Sequence, residues 1–285
     1  MERWGRLTGM LFQIELLLIL VAGSLAAFRL DDRMLLATEA VGAIAWLAMA
    51  WAQQRPDGSR FAEWRGTLQF AACWLIFPAF KAIRAVYIHH PADGALLALD
   101  RRFWGGASLP EHLLGWEHAW LSEILSAGYF LFYFVVLIPV IVFSIRRRSS
   151  EARAFFTGLT LMYLVGFIGY VLVPAGGPYM AFPETFPYPP QGGPITTFLV
   201  SVVKNGITGM DVFPSLHAGI GTYVLGFSAL GGYRRIAVLL APVVMALVVA
   251  TLYLRYHYGI DVLCGLALAA AVLTFVQRYR KECSP

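Results

Sequence analysis

The chain has 285 residues, 59% hydrophobic and only 14% charged, with a net charge of +5 and a mean hydropathy of +0.66. A soluble domain carries about 25% charged residues, so this composition excludes a soluble globular class and points to a membrane protein. Three cysteines, Cys73, Cys264 and Cys283, match no metal-ligand spacing and exclude a disulfide framework.

Apolar stretches long enough to cross a bilayer as helices are expected at 7–28, 34–52, 66–88, 124–145, 154–173, 214–230, 236–256 and 259–277. The first is too long for a signal peptide's apolar core and has no small-residue cleavage site after it, so it reads as a retained helix. Two long connections separate these spans. Residues 89–122 carry Asp93, Asp100, Glu111, His112, Glu117 and His118 between short apolar pieces, a pattern that fits interfacial helices. Residues 174–211 hold seven prolines and six glycines in 38 residues. That density breaks regular helix, and a long irregular segment in a compact protein is more often functional than idle. With no internal repeat or linker, one all-α domain over 1–285 is expected: a polytopic membrane helix bundle of about eight spans.

Lysine and arginine sort by side. Fourteen fall on one side: Arg3, Arg6, Arg55, Arg60, Arg65, Arg146, Arg147, Arg148, Arg153, Arg234, Arg235, Arg278, Arg280 and Lys281. The other side holds six: Arg29, Arg33, Arg101, Arg102, Lys204 and Arg255. The first side is therefore expected to be cytoplasmic, with both termini there, and Arg146–Arg148 reads as a topology determinant. The positive charge follows the bilayer, so the bilayer and not a nucleic acid is the expected partner.

Residues able to do chemistry gather after the second connection. In Phe213-Pro214-Ser215-Leu216-His217-Ala218-Gly219, Pro214 suits the first turn of a helix, where its missing N–H is not needed. His217 then sits at a helix N-terminus, whose free N–H groups and dipole favour an anion such as phosphate. Ser215 adds a hydroxyl there, as phosphate ligand or as helix cap. In Tyr253-Leu254-Arg255-Tyr256-His257-Tyr258-Gly259-Ile260-Asp261, His257 and Asp261 share a face if helix runs through both. The carboxyl group then fixes one imidazole nitrogen and leaves the other as nucleophile or base. Arg255 offers a permanent charge for phosphate oxygens, or snorkels to headgroups. The inward sixth span and the returning seventh bring both histidines to one membrane face, opposite the arginine-rich side.

These motifs resemble the second and third signature motifs of the type-2 phosphatidic acid phosphatase superfamily. FPSLHAG together with TLYLRYHYGIDVLCG is similar to the branch containing inositol phosphorylceramide synthase and its bacterial relatives, as is the Pro/Gly-rich run Val173–Tyr179. The resemblance covers roughly 100–265. It implies a six-helix core, here about 66–277, with the N-terminal helices at 7–52 as an addition. It also implies an enzyme that needs no metal or other cofactor and works by double displacement. His257 attacks phosphorus to form a phosphohistidine, Asp261 orients it, and His217 serves as acid and then base. The donor would be a phospholipid or polyprenyl phosphate, and the acceptor an alcohol or water. A bacterial inner membrane, with the site on the extracytoplasmic side, is the expected location.

Three departures favour a headgroup transferase over a plain phosphatase, one of them Leu216 where the phosphatases' second motif has glycine. The Lys-x6-Arg-Pro motif of the phosphatases is missing, since Ile88 stands seven positions after Lys81. Thr251 also occupies the place of an arginine six residues before the motif histidine. Phosphoryl transfer needs positive charge, so Lys81 and Arg84, within the third span, are candidate phosphate ligands, with pairing to Asp100 as the other reading. Tyr179 is a candidate headgroup contact, while Tyr129, Tyr133 and Tyr163 read as packing aromatics. Competing functions are a phosphatase using the same site, a metal enzyme with His217, His257 and Asp261 as ligands, and a transporter without turnover.

Overall fold

The computed structural model describes residues 2–57 and 59–281, the side chains of 2, 3 and 279–281 excepted, so Cys283 and the Arg3, Arg280 and Lys281 side chains lie outside it. The described residues form helices and connecting turns, without a strand. In chain order the helices are α1 (Glu2–Arg29), α2 (Arg33–Gln53), α3 (Arg65–Ile76), α4 (Ala79–Tyr87), α5 (Asp93–Phe103), α6 (Leu109–Leu113) and α7 (Ala119–Phe130). There follow α8 (Phe132–Ile145), α9 (Ser150–Leu172), α10 (Pro178–Ala181), α11 (Pro194–Gly206), α12 (Leu216–Leu230), α13 (Arg234–Tyr253) and α14 (Gly259–Lys281).

Six stretches are long and apolar enough to cross a bilayer: Trp4–Arg29, Arg33–Gln53, Ala119–Ile145, Ser150–Leu172, Arg234–Tyr253 and Gly259–Arg278. The protein is thus an all-α polytopic membrane protein. All eight expected apolar segments are helical, but two are not full-length straight spans. The third divides into α3 and α4, bent by 42° at Phe77–Pro78. Proline there removes a backbone donor and its ring clashes with the preceding turn, which kinks a helix. The sixth, α12, has 15 residues, short of the roughly 20 needed to span.

The chain divides into two compact units. The first comprises Met1–His89, Ile138–Val165 and Ala271–Pro285. In it α1 packs on α2 and α4, and α2 on α3. Small residues allow close approach: Ala26, Ala27 and Ala82 form a buried cluster flanked by Leu35, Leu36 and Val86. Interhelical hydrogen bonds add to packing, from Trp74 Nε1 to the Tyr163 hydroxyl at 2.9 Å and from Thr160 Oγ1 to Gln69 Oε1 at 3.0 Å. Leu18 and Ile44 remain outward and largely exposed, as expected where the solvent is lipid.

The second unit comprises His90–Leu137 and Gly166–Ala270. Here α12 packs on α13, α13 on α7, and α7 on α11. The first long connection holds α5 and α6, as its apolar pieces suggest. Ser108 and Glu111 close a capping box on α6, and the Arg101 guanidinium beside Glu111 lowers its carboxyl to about 2. The Pro/Gly-rich connection is more helical than its composition predicts. Pro194 stands in the first turn of α11, and Glu123 on α7 accepts the Gly193, Ile195 and Thr196 N–H groups at 2.8–3.0 Å.

Two buried aspartates organise this unit. Asp93 accepts the N–H groups of Gly176 and Gly177 at 3.0 and 2.9 Å and the Tyr258 hydroxyl at 2.9 Å. Asp100 accepts the Leu109, Gly259 and Ile260 N–H groups and Trp104 Nε1 at 2.7–3.1 Å. Its carboxyl group is therefore occupied by donors of its own unit, so Asp100 is not the carboxylate expected to pair with Lys81 or Arg84. Burying a polar backbone group without a partner is costly, so Asp100→Ala is expected to destabilise the protein by about 3 kcal/mol or more. Thermal unfolding in detergent checks this, with Asp100→Asn, which keeps one carbonyl oxygen, falling less.

Candidate active site

The chain leaves α13 at Tyr253 and enters α14 at Gly259, so no continuous helix runs through His257 and Asp261. The tight turn between is set by the buried Thr251, whose carbonyl accepts the N–H groups of both Tyr256 and His257 at 3.0 Å. Asp261, in the first turn of α14, reaches back instead. Its Oδ2 accepts the Tyr258 N–H at 2.9 Å and its Oδ1 lies 3.1 Å from His257 Nδ1. The first contact resembles the acidic half of a capping box; the second leaves Nε2 as the nitrogen for chemistry. His257 is 2% exposed and Asp261 fully buried. The Tyr258 hydroxyl, raised above the usual phenol range by burial and then by Asp93, stays a donor to Asp93.

The second histidine arrives through α12. Ser215 is its N-cap, with Oγ accepting the Ala218 N–H at 3.3 Å. The Ser215 N–H donates to the Asp261 carbonyl at 3.0 Å, which ties the two motif loops directly together. Gly265 makes this approach possible, because a Cβ there would sit 2.2 Å from the Ser215 carbonyl oxygen. The His217 and His257 rings then lie 5.7 Å apart, centroid to centroid. His217 Nε2 is 3.1 Å from the Tyr129 hydroxyl, and its ring stacks on Tyr129 at 4.9 Å and meets Phe132 at 4.6 Å. His217 Nδ1 is buried without a hydrogen-bond partner.

Arg255 is 2% exposed and has φ +64°, a left-handed backbone that non-glycine residues seldom adopt. Its Nη2 is bonded to Glu117, while Nε and Nη1 are buried and make no hydrogen bond. Its carbonyl accepts the Tyr179 N–H at 3.1 Å. Gly177, with φ +89°, lies so close below this turn that a Cβ would come within 2.3 Å of the Tyr256 carbonyl oxygen. Tyr179, Tyr188 and Tyr256 make an aromatic cluster, with Tyr179 and Tyr188 centroids 4.4 Å apart and the Tyr188 and Tyr256 hydroxyls 2.8 Å apart.

The sequence-derived candidates His217, His257, Asp261, Ser215, Arg255 and Tyr179 all belong to this second unit. Lys81 and Arg84 belong to the first, on α4. Lys81 is exposed, and Arg84 donates to the carbonyl of Ile88 at the end of its own helix. Sequence reasoning missed three residues. Tyr129 reads in the sequence as a packing aromatic, and neither Glu117 nor Asp93 stands out within its connection. Asp93 carries no local signal, since its partners lie more than 80 residues away, and Asp100 reaches Gly259 and Ile260 across more than 150. An apolar span that places a tyrosine opposite a motif histidine gives no periodic clue either.

The chain shares 28% identity over 170 residues with the phosphoinositol dihydroceramide synthase of Bacteroides thetaiotaomicron. That match covers 53% of this chain and 55% of the relative, so it spans about half of each. No solved structure matches. The family model described as the PAP2 superfamily matches residues 94–275, a span that contains both motif loops and well over half of the chain. The chain belongs to the PAP2 superfamily.

Proposed function

We propose that this protein is a lipid headgroup transferase. It moves a phosphate-bearing headgroup from a donor lipid to an alcohol through a phosphohistidine on His257, without a metal. The observation that carries the reading is the pairing of His257 with Asp261 beside a second histidine, His217, held by Tyr129. In the first step His257 Nε2 attacks phosphorus and forms a P–N bond. The bond to the leaving oxygen breaks, and that oxygen takes a proton from protonated His217. In the second step neutral His217 accepts the proton of the acceptor hydroxyl as its oxygen attacks phosphorus, and the P–N bond breaks. Asp261 holds the imidazole in the required tautomer and stabilises the positive charge it acquires.

Phosphoryl transfer relies on positioning and positive charge. Arg255 supports this role, because a buried guanidinium with two unpaired donor atoms is completed by an oxyanion. Tyr179 and Ser215 flank the same turns, as headgroup contact and as helix cap with a hydroxyl to spare. Lys81 and Arg84 remain phosphate-ligand proposals from sequence. The relative's name suggests the substrates to try first: a phosphoinositol lipid as donor and a long-chain lipid alcohol as acceptor. Water in place of the alcohol would make the protein a lipid or polyprenyl phosphate phosphatase at the same residues. The arginine bias supports a reading with both termini in the cytoplasm and the site on the outer face, with a bacterial inner membrane as the proposed location.

Purified protein given phosphoinositol lipid and ceramide-type alcohol is expected to form a new phosphodiester lipid. Release of free phosphate alone, whatever the alcohol, would replace transferase by phosphatase. His257→Ala is expected to lower turnover at least about a thousand-fold, as loss of a nucleophile does, while the protein still folds. A cysteine placed in 174–211 is expected to react with an impermeant reagent on intact cells. Tyr129→Phe keeps the ring and removes the hydroxyl on His217. Steady-state kinetics should show turnover falling about ten- to a hundred-fold, less than the roughly hundred- to ten-thousand-fold of a whole general acid–base group, because the imidazole itself remains. Chelator treatment is expected to leave the rate unchanged, and a loss restored by zinc would refute the metal-free mechanism.

A further inference from the structure

The first unit contains a cavity of about 290 Å³ on which five arginines converge. Arg6 comes from α1, Arg65 from the start of α3, and Arg147, Arg148 and Arg153 from the α8–α9 turn and the start of α9. The carboxylates in the lining are Asp57 and Glu63, so five positive charges face two negative ones, an excess of three. Each carboxylate is divided between two arginines. Asp57 lies 3.1 Å from Arg6 and 2.5 Å from Arg65; Glu63 lies 2.9 Å from Arg148 and 3.5 Å from Arg147. Arg147 Nε is buried and makes no hydrogen bond, and its guanidinium stacks over Trp64 at 4.2 Å.

A topology signal requires arginines in the connections on one side. It does not require them to face one another around a hollow. Arg65 and Arg147 are partly dehydrated, at 16% and 29% side-chain exposure, while Arg6 and Arg148 reach solvent at 45% and 77%, so an entering anion meets open guanidinium donors on a positive wall. The volume is at the lower end of ligand pockets, about 300 Å³, and suits a headgroup or small phosphorylated solute. Guanidinium forks match phosphate oxygens in geometry as well as charge.

We propose that this arginine-lined cavity is an anion site, separate from the histidine site, that binds a phosphate group carried by an anionic lipid headgroup or by a soluble phosphate. Its readout is binding, so it stands whether or not the transferase reading does. The test uses the full chain in detergent with two probes, phosphatidylglycerol against phosphatidylcholine and inorganic phosphate against chloride. Native mass spectrometry reads lipid retention, and the concentration dependence of thermal unfolding reads affinity. The double variant Arg147→Gln/Arg153→Gln is expected to weaken binding at least ten-fold. Glu63→Gln, which releases Arg147 and Arg148 from their shared carboxylate, is expected to tighten it, and it keeps the test decisive should the double variant fold poorly. A response to phosphatidylglycerol alone assigns the site to a lipid headgroup, and a response to inorganic phosphate alone assigns it to a solute. Binding of both probes that is the same in wild type and both variants, or weaker in Glu63→Gln, overturns the proposal.

Discussion

Asp261 holds the site together. One carboxylate oxygen meets the His257 imidazole, the other takes the Tyr258 N–H, and the backbone carbonyl takes the Ser215 N–H. A single residue in the first turn of α14 thus fixes the ring of one histidine and the entry point of the helix that carries the other. The two histidines are 40 positions apart in sequence, and nothing local would hold their rings within 6 Å of each other without this link. Asp93 and Asp100 extend the same device. Buried carboxyl groups collect backbone N–H groups from the Pro/Gly-rich run and from the start of α14, where irregular backbone would otherwise be left unsatisfied.

Much of the fold is legible in the sequence. Helix class follows from apolar length, and the pairing of motif loops follows from counting spans between them. What the sequence hid falls into two kinds. Breaks in helices depend on local detail, so Pro78 divides an apolar stretch that hydropathy alone joins, and α11 forms in a proline-rich run because Pro194 happens to stand where a helix tolerates it. Long-range polar contacts leave no pattern at all. Tyr129 looks like any aromatic of an apolar span until α7 is packed against α13 and its hydroxyl meets His217.

Thr251 shows how a departure from the phosphatase motif becomes structure. Where those enzymes carry an arginine, this chain buries a threonine completely and uses its carbonyl for two consecutive N–H groups of the turn that holds His257. On the proposed function, positive charge comes from Arg255 instead, two residues before His257 in the turn itself. That guanidinium is steadied by Glu117, which also accepts the Gln191 N–H at 2.5 Å. The two long connections of the second unit therefore meet at the cation of the site, which gives their length a use.

Arg255 also sets two demands against each other at one position. Its backbone adopts a left-handed conformation in which glycine is at ease and a long side chain is strained, yet its side chain is a buried cation, the one proposed above to meet phosphate. A glycine would relax the turn and empty it of charge. On the proposed function, drift toward thermal robustness runs against selection for turnover at this residue, and a library sorted for stability alone would be enriched in substitutions that silence the protein.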